Sequence, residues 1–136
     1  MSFVLDSSIS LTWCFDDERT DATDALLEQL VEVGAAAPAL WPLEVLNALA
    51  MAERRSRIDA ERRQRLAGFL RDLPVTIDEE TASHAWAVTY ELAARFRLTV
   101  YDAAYLELAQ RRGLPLATLD QELRAAATAL GVTLLG

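Results

Sequence analysis

The chain contains no lysine: all 13 of its basic residues are arginine. That absence removes P-loop phosphate binding, Schiff-base chemistry and the pocket lysine on which receiver domains and haloacid dehalogenase-like phosphatases depend. Histidine and cysteine occur once each, as His84 and Cys14. Zinc therefore has no Cys/His ligand set, and no internal disulfide can form, which suits a reducing compartment. Cys14 lies in an apolar stretch and is expected in the core. No apolar run approaches the roughly 18 residues that a membrane span needs. The start of the chain has no basic n-region followed by a small-residue cleavage site, so a cytoplasmic protein is the expectation. Positive charge is scarce as well. A net charge of −8 argues against holding nucleic acid mainly by a broad basic surface, because that mode relies on Lys and Arg to neutralise phosphates.

What is present is a length of 136 residues with 52% hydrophobic content, enough for one domain over 1–136 with its own core and no visible linker. Short β-prone segments, "SFVLD", "AAAPAL", "VTI", "LPLATL" and "VTLL", alternate with helix-like stretches. "DERTDATDALLEQLVEVG" has Leu26, Leu27, Leu30 and Val33 at helical spacing and ends on Gly34, a helix with its C-cap. "WPLEVLNALAMAERRS" opens with Pro42 at its first turn. "DEETASHAWAVTYELAARFR" has an acidic first turn and closes on Arg95 and Arg97, as a helix dipole favours. The period of "SSISLTWCF" is ambiguous. With no tight hairpin signal anywhere, the pattern predicts an α/β fold around a mostly parallel sheet of about five strands.

On such sheets ligands bind beyond the carboxyl ends of the strands, where helix N-termini also point. Four acids fall there. Asp6 ends the first strand, Glu44 and Asp102 lie in first helical turns, and Asp120 directly follows the fourth strand. Singly, each reads as a helix cap or a dipole partner worth about 1 kcal/mol. Together they are harder to explain structurally. Four carboxylates within about 5 Å of one another repel by roughly 3 kcal/mol per pair at an effective dielectric near 20, and six pairs exceed the roughly 5–15 kcal/mol that holds a domain folded. Protonation or a hard divalent cation such as Mg²⁺ or Mn²⁺ would relieve them. Ser7, Asn47, Thr99 and Thr118 stand near these acids in sequence and are expected to support them by hydrogen bonding.

The segments "VLDSS", "PALWPLEVLNAL", "LTVYDAAYLELA" and "LPLATLDQEL", in that order, resemble a PIN domain, most closely the VapC-type toxins of toxin–antitoxin pairs. The resemblance implies a three-layer α/β/α sandwich. It further implies a small Mg²⁺- or Mn²⁺-dependent endoribonuclease using one or two ions, with a cognate antitoxin and a homodimeric state. By position Asp6, Glu44, Asp102 and Asp120 carry over as metal-binding acids, with Ser7 and Thr118 as polar support. Some members place another acid two residues after the last one, where this chain has Glu122; Asp120 is the favoured residue of the two.

Cleavage by a metal-activated water needs no histidine base, and His84, mid-helix in the sequence pattern, reads as structural. Products would carry 5′-phosphate and 3′-hydroxyl ends. Seven arginines cluster between Arg54 and Arg71, and Arg54 and Arg55 are candidates for bidentate RNA phosphate contact, against local ion pairing on solvated helix faces. Trp13, Trp41 and Trp86 are expected in the core with each N–H satisfied. Two rivals stand beside the nuclease: a non-catalytic module whose acidic pocket recognises a basic partner, and a haloacid dehalogenase-like phosphatase. The second is disfavoured because no acid stands two residues after Asp6 and there is no lysine.

Overall fold

The computed structural model describes residues 2–136. Five short strands, β1 (Val4–Leu5), β2 (Ala35–Ala37), β3 (Val75–Ile77), β4 (Leu116–Ala117) and β5 (Leu134–Leu135), form one sheet in the order β3-β2-β1-β4-β5. Every pairing is parallel, with Val4 of β1 in register with Ala36 on one side and Leu116 on the other. The helices are α1 (Ser7–Thr12), α2 (Asp21–Val33), α3 (Trp41–Arg54), α4 (Ala60–Arg71), α5 (Thr81–His84), α6 (Tyr90–Phe96), α7 (Val100–Arg112) and α8 (Gln121–Leu130). A parallel ladder requires a crossover between strands, and these helices supply it and cover the sheet. The α/β fold expected from the alternation is therefore present, as is the α/β/α sandwich that the resemblance implies, with a sheet that is wholly parallel.

The three central strands, β2, β1 and β4, are buried on both faces, and the edge strands β3 and β5 are partly exposed. Phe3, Val4, Leu5, Leu116 and Ala117 have no exposure, and α7 is sunk against them through Ala103, Tyr105, Leu106 and Leu108. The ambiguous stretch after Asp6 is helical, with Ile9, Ser10 and Thr12 inward. Gly34 ends α2 at φ 76°, and a Cβ there would lie 3.3 Å from the Pro74 carbonyl oxygen, so glycine lets the chain turn tightly into β2. Cys14 is buried, and burial pushes its thiol up to about 11, as suits an inert core residue.

Trp13 and Trp41 are core residues whose indole N–H groups donate to the Thr23 carbonyl (2.8 Å) and the Ser10 hydroxyl (2.9 Å). Trp86 is not; it is 91% exposed. The helix expected over this region is interrupted by a π-helical stretch, Ala85–Thr89, between α5 and α6. The wider turn shifts the inward stripe, so Thr89, Leu92 and Ala93 pack while Trp86, Val88 and Tyr90 face outward.

Strand order reverses at β1: β2 and β3 lie to one side of it, β4 and β5 to the other. The carboxyl ends of β1 and β4 flank this switch point, where an open α/β sheet offers its crevice.

Candidate functional site

Asp6 leaves the end of β1 and is 3% exposed. Although it occupies the N-cap position of α1, its side chain makes no capping hydrogen bond. Its Oδ2 instead accepts from the hydroxyls of Ser8 (2.6 Å) and Thr118 (2.7 Å). Those hydroxyls also bind the chain beyond β4: Ser8 Oγ accepts from the Leu119 N–H at 3.0 Å, and Thr118 Oγ1 from the Asp120 N–H at 3.1 Å. Two short hydroxyl bridges thus tie the β1 end to the β4 end across the switch point. Burial raises the Asp6 carboxyl above the ordinary 3.8, and the two hydroxyls act in the opposite direction.

Glu44 is delivered by the first turn of α3, whose start is fixed by Pro42. Its Oε1 accepts from the Tyr105 hydroxyl at 2.6 Å and from Ser7 Oγ at 3.4 Å. Burial raises this carboxyl too, with Asp6 adding to the rise and the Tyr105 hydroxyl opposing it.

Asp102 stands in the first turn of α7. The Thr99 side chain caps that helix by accepting the Asp102 N–H at 3.0 Å, so Thr99 fixes the backbone from which the acid projects. The Asp102 carboxyl is pushed up to about 6, first by burial, then by the negative charges of Asp6 and Asp120, a hydrogen bond with Asp120, and the charge of Glu44. One carboxyl thus senses the other three, although they are far apart in sequence. Asp120 caps α8 by accepting the Glu122 N–H at 3.0 Å and adds to the rise at Asp102. Glu122 is exposed and does not contribute to the rise at Asp102.

The four acids share a field without forming a ready cage. Among the described residues, no group of three or more acids, histidines or cysteines is drawn together closely enough to hold an ion. Mutually repelling carboxylates, each tethered to hydroxyls or helix caps, are expected to stand apart until a cation compensates them.

Asn47, expected beside Glu44, is exposed and makes no hydrogen bond to it. Neighbours on one helix surface need not face the same partner, and the supports of Glu44 come from α1 and α7 instead. Tyr105 is a residue that the sequence reading did not single out. It lies three residues after Asp102, a spacing that puts both on one side of α7, and this was the available clue to its role.

Of the clustered arginines, Arg57 pairs with Asp17 (3.0 Å) and Glu18 (2.8 Å), Arg63 pairs with Glu53, and Arg71 pairs with Asp72 at 3.4 Å. Arg54 and Arg55 are exposed and have no ion pair among the described residues. His84 is 3.8 Å from Glu80 and takes no part in the acid cluster.

A second charged group lies elsewhere on α7. Asp78, only 1% exposed, accepts from Arg111 at 2.6 Å and Arg112 at 3.3 Å, while Arg111 also binds Glu107 at 2.7 Å. Burial alone would raise Asp78, but Arg111 and the other donors hold its carboxyl below the ordinary value. This group anchors α7 to the segment after β3.

Comparison with the curated proteins returns no match. Among solved structures, PAE2754 from Pyrobaculum aerophilum superposes with a TM-score of 0.71 at 24% identity, covering 98% of this chain and 83% of that one. FitAcB from Neisseria gonorrhoeae gives 0.69 at 17% identity, with 100% and 97% covered. VapBC2 from Rickettsia felis, bound to a DNA fragment from their promoter, gives 0.67 at 14% identity, with 98% and 97% covered. At these identities the likenesses establish the fold. A family model described as PIN domain matches residues 3–129, a span that includes all four acids and the switch point they surround, and the chain belongs to the PIN domain family.

Proposed function

We propose that this protein is a Mg²⁺- or Mn²⁺-dependent endoribonuclease, the toxin of a type II toxin–antitoxin pair. The observation that carries the reading is the electrostatic convergence on Asp102 of acids from four separate chain segments, at the crevice of a PIN fold. PIN domains are generally nucleases, and FitAcB and VapBC2 relate this fold to that class of system.

The donor set fits a hard cation: every candidate ligand is a carboxylate oxygen, and the neighbouring groups are hydroxyls. Asp6, Glu44, Asp102 and Asp120 would hold one or two ions. When bound, the metal supplies charge neutralisation and an activated water for in-line attack on the scissile phosphate. The chain's own contribution is placement. Ser8 and Thr118 fix Asp6, Tyr105 and Ser7 fix Glu44, and the caps of α7 and α8 aim Asp102 and Asp120. Water adds to phosphorus, the P–O3′ bond breaks, and a 3′-hydroxyl and a 5′-phosphate result.

The RNA strand would leave this site along α3. Glu44 and Arg55 are eleven residues apart, about three helical turns and about 16 Å, and so share one side of the helix. Arg55 and its neighbour Arg54 are exposed, have no ion pair among the described residues, and would meet a phosphate. An apolar cavity of about 500 Å³ between α3 and α4, lined by Trp41, Val45, Leu46, Ala67 and Leu70, would receive an apolar-faced segment of the antitoxin. Exposed Leu43, Trp86, Tyr90 and Tyr101 offer apolar surface for a second copy of the chain. No helix is long and apolar enough to cross a membrane among the described residues.

The test is cleavage of single-stranded RNA by purified protein with Mn²⁺, with EDTA, and with Asp6→Asn and Asp102→Asn variants. Chelation or either substitution should lower the rate by at least about a hundredfold. Chelator-resistant cleavage, or full activity in either variant, overturns the metal assignment. A folded wild-type protein that binds a basic peptide but cuts no RNA returns the pocket to a recognition role.

A further inference from the structure

Tyr105 has no exposure, and its ring is held inside the core by the strands and helices around α7. A phenol so enclosed cannot swing to follow a moving partner, so its hydroxyl is a fixed point. That hydroxyl donates to Glu44 Oε1 at 2.6 Å, and Ser7 Oγ reaches the same oxygen from α1 at 3.4 Å. Glu44 Oε2 accepts no hydrogen bond among the described residues. The two oxygens of one carboxylate therefore have different fates: one is anchored by hydroxyls from two elements, and the other is left for a ligand.

We infer that Tyr105 is a positioning residue that sets which divalent ion the site accepts, by restricting Glu44 to a single free oxygen. The inference rests on the metal-dependent reading above and adds a selectivity that the reading does not contain. Ca²⁺ takes six to eight oxygens at 2.3–2.6 Å and commonly uses a carboxylate through both oxygens, whereas Mg²⁺ demands near-octahedral geometry at about 2.0–2.1 Å and retains several waters. Mn²⁺ also favours octahedral oxygen coordination. A Glu44 held by its Oε1 can give one oxygen to a small octahedral ion without disturbance. Chelating a larger ion through both oxygens would set that ion in competition with the Tyr105 and Ser7 hydroxyls, which already occupy the two lone-pair directions of Oε1. The fixed phenol thereby disfavours the larger ion while leaving the smaller one unaffected.

Calorimetric titration with Mn²⁺ and separately with Ca²⁺ tests this without any RNA present. Wild-type protein, Tyr105→Phe and Ser7→Ala are compared, and Glu44→Gln reports the ligand itself. Tyr105→Phe retains the ring and removes only the donor, and the Mn²⁺ over Ca²⁺ preference should narrow by about tenfold, the scale on which supporting hydrogen bonds tune metal sites. Ser7→Ala, which removes the longer contact, should narrow it in the same direction by less. An unchanged preference in both variants overturns the inference, as does an equal weakening for both ions, which would mark Tyr105 as merely structural. Should Tyr105→Phe fail to fold by circular dichroism, Ser7→Ala decides alone. A wild-type protein that binds neither ion removes the metal-dependent reading itself, a result distinct from an unchanged ratio.

Discussion

Replacing Asp102 by Asn should make the metal-free protein more stable at neutral and alkaline pH, and the gain should vanish in acid. The Asp102 carboxyl is pushed up to about 6 from the ordinary 3.8 by burial and by the charges of Asp6, Asp120 and Glu44. At about 1.4 kcal/mol per tenfold in an equilibrium constant, the gap amounts to about 3 kcal/mol; solvent screening of a half-buried group reduces this to about 1–2 kcal/mol. Below pH 3.8 both folded and unfolded chains carry the proton and the carboxyl costs nothing. Between pH 3.8 and 6 the unfolded chain releases its proton before the folded one does, so stability is lost progressively, and above 6 the loss is complete. The amide carries no charge at any of these pH values. Urea denaturation in EDTA at pH 8 should therefore place Asp102→Asn about 1–2 kcal/mol above wild type, with a melting temperature higher by about 3–8 °C. At pH 4 the two should converge. Added Mn²⁺ should reverse the order, because only the carboxylate gains from the ion. Equal stability at pH 8, or a variant less stable than wild type there, would refute the claim that the acids crowd one another.

Thr118→Val removes a hydroxyl that serves both Asp6 and the Asp120 N–H; chemical denaturation should register a loss of about 1–3 kcal/mol, and RNA cleavage should fall about 10–100-fold. Arg111→Met strips Asp78 and Glu107 of their shared guanidinium and should destabilise the fold by about 3–5 kcal/mol in urea. Pairing it with Asp78→Asn should restore part of that loss. Charge reversal at Arg54 and Arg55 should weaken RNA binding and flatten its dependence on salt; an unchanged slope in a filter-binding titration would remove them from the RNA path.

The acid positions were legible because each coincides with a boundary that local chemistry marks. Thr99 and Asp102 have the spacing of a helix start, and Asp120 follows an apolar run that has to end there. Strand lengths were not legible. "LPLATL" is apolar over most of its length, yet the ladder includes only Leu116 and Ala117, because hydrophobicity records burial rather than backbone pairing. Tyr105 was hidden for a related reason: its ring obeys the core period, while its hydroxyl meets Glu44, 61 positions away in the chain. Adjacency on α3 suggested Asn47 as the partner of Glu44, but α1 and α7 supplied the partners instead. Trp86 followed a 3.6-residue period that the π-helical stretch breaks. The Asp78–Arg111–Glu107 group joins residues 33 positions apart and leaves no periodic trace.

The hydroxyl bridges between Ser8, Thr118 and Asp6 cross a junction where β1 and β4 are each only two residues long. So brief a ladder leaves much of the work of keeping its ends aligned to side chains, and the same atoms that aim a carboxylate also rivet the centre of the sheet. On the proposed nuclease reading, loss of activity and loss of mechanical integrity are consequently entangled at this position. An alanine at Asp6 would leave both hydroxyls facing a void, whereas asparagine keeps an oxygen for them, and an inactive protein intended to trap its substrate should be built with the amide.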